Sequence, residues 1–210
     1  MKFELPKLYP VTDRRLSGLT HAEQVARLCE GGARLVQLRE KHLPAREFYA
    51  EAVEALKVVR SFGAKLIIND RADVALAAGA DGVHVGQDDM PPWAVRALLG
   101  EGKTVGFSTH GVGQASEAAR LPVDYVAIGP VFDTASKENP DPCVGLEGVR
   151  RVRAAVGGAV KLVAIGGINA DTAPAVIEAG ADSVALIGAL LKTSDAAEIT
   201  RRTRELLARL

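Results

Sequence analysis

The chain has 210 residues, 48% of them hydrophobic, and its 26 Lys and Arg are matched by 26 Asp and Glu. That length suits one ordinary domain or a compact (β/α)8 barrel, which runs from about 200 residues upward. The charge balance argues against a nucleic-acid protein, which usually carries a strongly basic face, and no apolar run approaches the ~20 residues that span a bilayer.

The opening residues, Met1-Lys2-Phe3-Glu4-Leu5-Pro6, lack the apolar core of a secretory signal. Eight short β-rich runs follow: Leu8–Asp13, Leu35–Glu40, Leu66–Asp70, Gly82–Gly86, Val105–Thr109, Tyr125–Val131, Leu162–Gly166 and Ser183–Ile187. A longer helical segment rich in Ala, Leu, Glu and Arg comes after each, the last being Ala196–Leu210. This alternation is the pattern of βα units on a parallel sheet. The joins Gly31-Gly32-Ala33, Gly79-Ala80-Asp81-Gly82 and Gly180-Ala181-Asp182 share their punctuation. Glycine there suits the left-handed turn that ends a helix, and the recurrence is join chemistry rather than proof of sequence repeats. Eight units with no linker and no second composition zone predict an α/β fold, a single-domain (β/α)8 TIM barrel over residues 1–210.

The one long irregular segment, Asp133 to Gly145, contains Lys137, Pro140 and Pro142. A loop of that length reads as a mobile lid or binding loop, with a plain surface insertion as the alternative. Near the end, Arg201-Arg202-Thr203-Arg204 sits among Ile199, Leu206, Leu207 and Leu210 at helical spacing, the solvated side of a last helix. Cys29 and Cys143 lie far apart without metal spacing and read as free thiols in a reducing compartment, so a cytoplasmic location is expected.

In such a barrel the active site lies at the C-terminal ends of the strands. Those ends read Asp13; Gln37, Arg39 and Lys41; Asn69 and Asp70; Gln87 and Asp89; Ser108, Thr109 and His110; Gly129 and Pro130; Gly166 and Gly167; Ile187 and Gly188. Alternate strand side chains share a face, so Gln37, Arg39 and Lys41 point together while Val36 and Leu38 point away. A carboxamide and two cations suit an anion. Asp70 and Asp89, on neighbouring ends, suit Mg²⁺ held against phosphate oxygens, the alternative being salt bridges to Arg39 and Lys41. Asp88 is expected to point elsewhere and to cap the helix that begins near Pro91. Gly166-Gly167, with Asn169 and Asp171 as helix caps, and Ile187-Gly188 expose backbone N–H groups where barrels commonly hold a phosphate, the alternative being tight turns only. Thr134, Ser136 and Lys137 would close over that site.

The histidines say less. His84 reads as a hydrogen-bonded core residue, His110 as a neighbour of the site, and His21 and His42 as surface residues. Neither cysteine has a histidine partner, and no nucleophilic triad, zinc spacing or dinucleotide-type Gly-x-Gly-x-x-Gly is present.

Nearly the whole chain resembles the thiamine-phosphate synthase family. The motifs that carry the likeness are Tyr9-Pro10-Val11-Thr12-Asp13, Gln37 to Lys41, Ile68-Asn69-Asp70-Arg71, Ala80 to Asp89, Ser108-Thr109-His110, Gly129-Pro130-Val131-Phe132 and Ala164-Ile165-Gly166-Gly167-Ile168. The resemblance implies a (β/α)8 barrel that couples hydroxymethylpyrimidine pyrophosphate to thiazole phosphate, releasing pyrophosphate. It implies that Gln37, Arg39, Lys41 and Asn69 bind the pyrimidine pyrophosphate, that Asp70 and Asp89 hold Mg²⁺, and that Ser108 and Lys137 contact the pyrophosphate. Thr134 and Ser136, with the backbone at Gly167, Ile187 and Gly188, would hold the thiazole phosphate. The implied chemistry is a dissociative substitution at the pyrimidine methylene, with Arg39, Lys41 and Lys137 as catalytic cations and no covalent nucleophile. The implied partners are small molecules, with no nucleic acid and no membrane, and a homo-oligomer is left open.

Ser136 stands where a second threonine is expected but keeps the hydroxyl. The stretch Lys137 to Val144 is rich in proline and acid, which leaves the loop's closed pose open. Three rivals share the barrel: a thiazole tautomerase, a non-catalytic ligand-binding regulator, and a phosphosugar isomerase or aldolase. The tautomerase branch puts a histidine where Pro130 stands, the regulator should have lost its charged site residues, and an isomerase or aldolase needs an acid–base or Schiff-base residue at a strand end.

Overall fold

The computed structural model describes residues 4–134 and 141–210. Its strands are β1 (Leu8–Pro10), β2 (Leu35–Leu38), β3 (Lys65–Asn69), β4 (Gly82–Val85), β5 (Thr104–Thr109), β6 (Tyr125–Ile128), β7 (Lys161–Ile165) and β8 (Ser183–Leu186). The helices are α1 (Arg14–Ser17), α2 (His21–Glu30), α3 (Ala45–Ser61), α4 (Ala72–Ala78), α5 (Pro92–Leu99), α6 (Val112–Ala118), α7 (Gly145–Val156), α8 (Ala173–Glu178), α9 (Gly188–Leu191) and α10 (Ala196–Leu207). The strands pair in parallel in the order β1-β8-β7-β6-β5-β4-β3-β2. A parallel bridge from Val11 to Gln37, with Thr12 N–H donating to Gln37 O at 2.8 Å, brings the two edges together. The eight expected runs are all strands of this barrel. β3, β5 and β7 begin one residue earlier than their apolar runs, at Lys65, Thr104 and Lys161. Polar entry residues pair by backbone and so escape a reading based on hydropathy.

Strand side chains alternate between two apolar layers, as a period of two requires. Leu8, Val36, Leu38, Leu66, Ile68, Val83, Val85, Val105, Val126, Ile128, Leu162, Ala164 and Val184 pack outward against the helices. Tyr9, Val11, Leu35, Ile67, Tyr125, Ala127, Val163 and Ala185 form a smaller cluster inside the barrel. Gly106 makes room for it: a Cβ there would run into the Tyr125 ring, so a larger residue on β5 would displace the phenol that crosses the interior. On α10, Ile199 and Leu206 are buried while Arg201 pairs with Glu198 and Glu205 in solvent, as expected of an amphipathic helix. Among the described residues no helix is long and apolar enough to cross a membrane.

The αβ joins share more than glycine. Asp81, Asp124 and Asp182 each precede a strand, and each carboxylate accepts the backbone N–H of an earlier strand: Leu66 at 2.9 Å, Val105 at 2.7 Å and Leu162 at 2.8 Å. Arg96 of α5 closes on Asp124 at 2.8 Å, and Arg153 of α7 closes on Asp182 in the same way. These staples tie down the N-terminal end of the barrel, the face that serves stability rather than chemistry.

Candidate active site

A cavity of about 770 Å³ opens at the C-terminal ends of the strands. Gln37, Arg39, Lys41, Asn69, Asp70, Asp89, Ser108, Thr134, Gly167, Ile187 and Gly188 all line it. Alternation explains the first of these. Val36 and Leu38 belong to the outer layer, which turns Gln37 inward, and Arg39 and Lys41 follow past the strand end. Asp70 follows β3 in the left-handed region at φ 59°, which Asp and Asn tolerate better than most residues, and its N–H donates to His84 O at 2.7 Å. Such a backbone is held by its surroundings and concentrates at functional sites.

Charges alternate around this rim. Arg39 Nη1 lies 3.3 Å from Asp13 Oδ2, and the Lys41 ammonium is ion-paired with the Asp70 carboxylate. The Arg39 N–H also donates to Thr12 Oγ1 at 3.2 Å, which fixes where the chain leaves β2. Asp89 accepts the Gly86 N–H at 2.7 Å. Burial, and then the neighbouring negative charge of Asp70, raise the Asp89 pKa above the ordinary carboxylate value. Two hard oxygen donors that repel one another fit Mg²⁺, which commonly takes one or two protein carboxylates and completes its shell with phosphate oxygens and water. Among the described residues no group of three or more His, Cys, Asp or Glu side chains is arranged to hold a metal ion.

His84 is a buried, hydrogen-bonded residue, as its position inside the fourth run suggested. Its Nε2 lies 2.8 Å from Ser108 Oγ and its Nδ1 lies 3.0 Å from the Tyr125 hydroxyl. Burial lowers its pKa to about 4, so the ring is neutral at neutral pH. Burial likewise raises the phenols of Tyr9 and Tyr125, which stay protonated. His110 lines the cavity with Nδ1 2.8 Å from Gly129 O and 3.4 Å from Asp141 Oδ2.

On the opposite side, the glycine loop after β7 faces the start of α9. Gly167, at φ 65°, passes so close to the backbone of Phe132 and Asp133 that a side chain would not fit. The first amides of a helix such as α9 have no intrahelical acceptor and are available to an anion. Lys192, at the end of α9, also lines the cavity and adds a cation that the strand ends did not reveal. The long loop meets the barrel where Val144 N–H donates to Pro130 O at 2.9 Å and Gly145 N–H to Val131 O at 3.0 Å. Ser136 and Lys137, in the middle of the segment expected to act as a lid, lie outside the described residues.

Three expectations are corrected. His21 is fully buried: its Nδ1 lies 2.8 Å from Thr12 Oγ1 and its Nε2 lies 3.3 Å from Glu40 Oε2. It opens α2 beside the capping box of Thr20 and Glu23, and that entry turns it under the end of β2, whereas His42 is exposed as expected. Asp88 does not cap α5, which starts after Pro91 without a side-chain cap, and it lines the cavity instead. Asn169 caps the turn before α8 by accepting the N–H groups of Asp171 and Thr172 at 2.9 and 3.0 Å, but Asp171 pairs with Arg209. Tyr9 and Tyr125 also line the cavity, although aromatic residues inside strand runs read as core from sequence.

The family model described as thiamine monophosphate synthase matches residues 8–190. A thiamine-phosphate synthase of Chloroflexus aurantiacus is 43% identical over 203 residues, covering 96% of this chain and 93% of that protein. One from Koribacter versatilis is 47% identical over 195 residues, covering 90% of each. The solved thiamine phosphate pyrophosphorylase of Pyrococcus furiosus superposes with a TM-score of 0.86 at 36% identity, covering 97% of this chain and 94% of that one. A 3-hexulose-6-phosphate synthase superposes with a TM-score of 0.73 at 22% identity, a likeness of fold alone.

Proposed function

The chain belongs to the thiamine monophosphate synthase family, and from that premise we propose how its barrel mouth carries the reaction. The activity is that of a thiamine-phosphate synthase, a transferase that releases pyrophosphate. The tautomerase, regulator and aldolase readings are not favoured by these relatives. The substrates are the hydroxymethylpyrimidine pyrophosphate and thiazole phosphate, and the whole chain acts as one barrel domain.

The observation that carries this reading is the grouping of Arg39, Lys41, Asp70 and Asp89 in the lining of a single cavity that Gly167 and Gly188 also line, with Lys41 ion-paired to Asp70. Two anionic substrates need two docks, which the cations at one set of strand ends and the glycine amides at the other would supply. Gln37 and Asn69, both nearly buried at the strand ends, hold the aminopyrimidine. Arg39, Lys41 and Ser108, joined by Lys137 of the loop, take up the pyrophosphate. Their charges stabilise the negative charge that grows on the leaving group as the methylene carbon–oxygen bond breaks. Thr134, with Ser136, and the amides of Gly167, Ile187 and Gly188 hold the thiazole phosphate. Binding both partners in one cavity puts the thiazole nitrogen in line with the carbon it attacks, which removes much of the entropic cost of the encounter.

Asp70 and Asp89 would hold Mg²⁺, which when bound supplies further positive charge against the pyrophosphate. No covalent nucleophile is needed for a dissociative substitution at the pyrimidine methylene. Both cysteines are free thiols, Cys29 buried and Cys143 exposed, which supports a cytoplasmic location. The test is a coupling assay with both substrates and Mg²⁺, with and without EDTA. Metal-dependent formation of thiamine phosphate is the expected result; folded protein that gives none under any metal condition removes the reading.

A further inference from the structure

Below the barrel mouth, five polar side chains from five strands form one unbroken chain of hydrogen bonds. Gln37 Nε2 donates to the Tyr9 hydroxyl at 3.0 Å, and the Tyr9 and Tyr125 hydroxyls lie 2.9 Å apart. The Tyr125 hydroxyl lies 3.0 Å from His84 Nδ1, and His84 Nε2 lies 2.8 Å from Ser108 Oγ. Tyr9, Tyr125 and His84 are buried, and the chain ends on the two residues assigned to the pyrimidine and to the pyrophosphate.

A phenol has one hydrogen, so its position is a matter of counting. Tyr9 accepts from Gln37, and its own hydrogen goes to Tyr125, because a buried hydroxyl left undonated is costly. Tyr125 then accepts from Tyr9 and donates to His84 Nδ1. A neutral imidazole that accepts at Nδ1 carries its proton on Nε2, and that N–H donates to Ser108 Oγ. The Ser108 hydrogen is thereby freed for a different acceptor in the cavity. At the other end, Gln37 has turned its amide nitrogen inward, which leaves its carbonyl oxygen to offer a ligand.

We propose that Tyr9, Tyr125 and His84 are positioning residues that set the polarity of the pyrimidine pyrophosphate site, holding Gln37 as an acceptor and Ser108 as a donor through one directed hydrogen-bond chain. The proposal rests on the substrate assignment made above. An exocyclic amine donates and meets the Gln37 oxygen; a phosphate oxygen only accepts and meets the Ser108 hydroxyl. In the reverse order every link flips together, and both ends then oppose the ligand: an N–H faces the amine and a lone pair faces the anion. Stacking of the His84 and Tyr125 rings, with centroids 5.5 Å apart and planes 14° apart, holds the central link in register.

The test reads the His84 proton directly. Nitrogen-15 NMR of the ligand-free protein at neutral pH, with the His84 signals assigned by their loss in His84→Gln, is expected to show the proton on Nε2 alone. Tyr9→Phe removes the source of direction without touching the imidazole by a hydrogen bond. It is expected to give a mixture of tautomers and to raise KM for the pyrimidine pyrophosphate by about tenfold, the scale of one lost hydrogen bond, with KM for thiazole phosphate unchanged. Should Tyr9→Phe fail to fold, Tyr125→Phe cuts the same chain one link later with the same expected outcome. A proton on Nδ1 in the unaltered protein overturns the proposal. So does a variant in which the tautomer stays fixed, or in which both KM values rise together, the mark of a role in packing only. The tautomer is read without turnover, so a failed coupling assay removes the proposed function while this result stands or falls separately.

Discussion

The Lys41 ammonium is ion-paired with the Asp70 carboxylate across the ends of β2 and β3. The group assigned to the leaving pyrophosphate and the group assigned to the cation are therefore electrostatic neighbours, and removing either exposes the other to an uncompensated charge.

Asp70→Asn removes that charge while keeping a side chain that tolerates the φ of 59°. Turnover is expected to fall by about 100-fold or more, beyond the roughly 10–100-fold that loss of an outer-shell partner of a metal ligand costs, with circular dichroism unchanged. A variant that keeps full activity across a Mg²⁺ titration would take Asp70 out of the metal site.

Arg39→Ala separates the two docks. A charge-assisted hydrogen bond contributes roughly 1.5–3 kcal/mol, so KM for the pyrimidine pyrophosphate should rise about 10- to 100-fold. KM for thiazole phosphate should move far less. Equal weakening of both would mean that the two halves of the cavity have been misassigned.

Asp89 links stability to pH with a sign opposite to that of most carboxylates. Burial and the Asp70 charge raise its folded pKa above the unfolded value. Between those two values the folded state binds more protons, so this group's contribution to stability falls as pH rises through the window. Asp89→Asn is therefore expected to raise Tm at neutral pH in EDTA and to lose that gain in acid. Mg²⁺ should raise Tm of the parent protein and not of the variant, because a ligand stabilises only the state that binds it. A variant less stable than its parent at neutral pH in EDTA would refute the charge argument.

Asp124→Ala removes a staple remote from the cavity, one carboxylate that holds Val105 N–H and Arg96. Losing hydrogen bonds to a charged group should cost about 1.5–3 kcal/mol in urea unfolding. Both KM values and kcat should be unchanged at a temperature where the variant is folded. A kinetic defect there would show that the two ends of the barrel are coupled.

Gly106→Ala drives a methyl into the Tyr125 ring. Overpacking of this kind costs about 1–3 kcal/mol, and here it also shifts the hydroxyl between Tyr9 and His84. The expected result is lower stability together with a raised KM for the pyrimidine pyrophosphate; a variant of parental stability would mean that the ring has room to move.

Hydrophobic periodicity, glycine at the joins and polar strand ends are local properties, so the order of elements, the barrel and the cluster from Gln37 to Asp89 could be read from residue types alone. Strand alternation even determined that Gln37 and Arg39 turn inward, because a period of two leaves no choice once Val36 and Leu38 face the helices. What only the tertiary structure decided are contacts between residues distant in sequence. Tyr9 and Tyr125 are 116 positions apart, and nothing in either strand tells a core phenol from one aimed at a second phenol. His21 read as a surface residue because its burial depends on Thr12 and Glu40, which belong to other elements. Asp124 and Asp182 look like ordinary loop acids until the barrel brings Val105 and Leu162 to them. Secondary structure follows from neighbours along the chain; polar partnership follows from closure of the sheet, which puts all eight strands within reach of one interior.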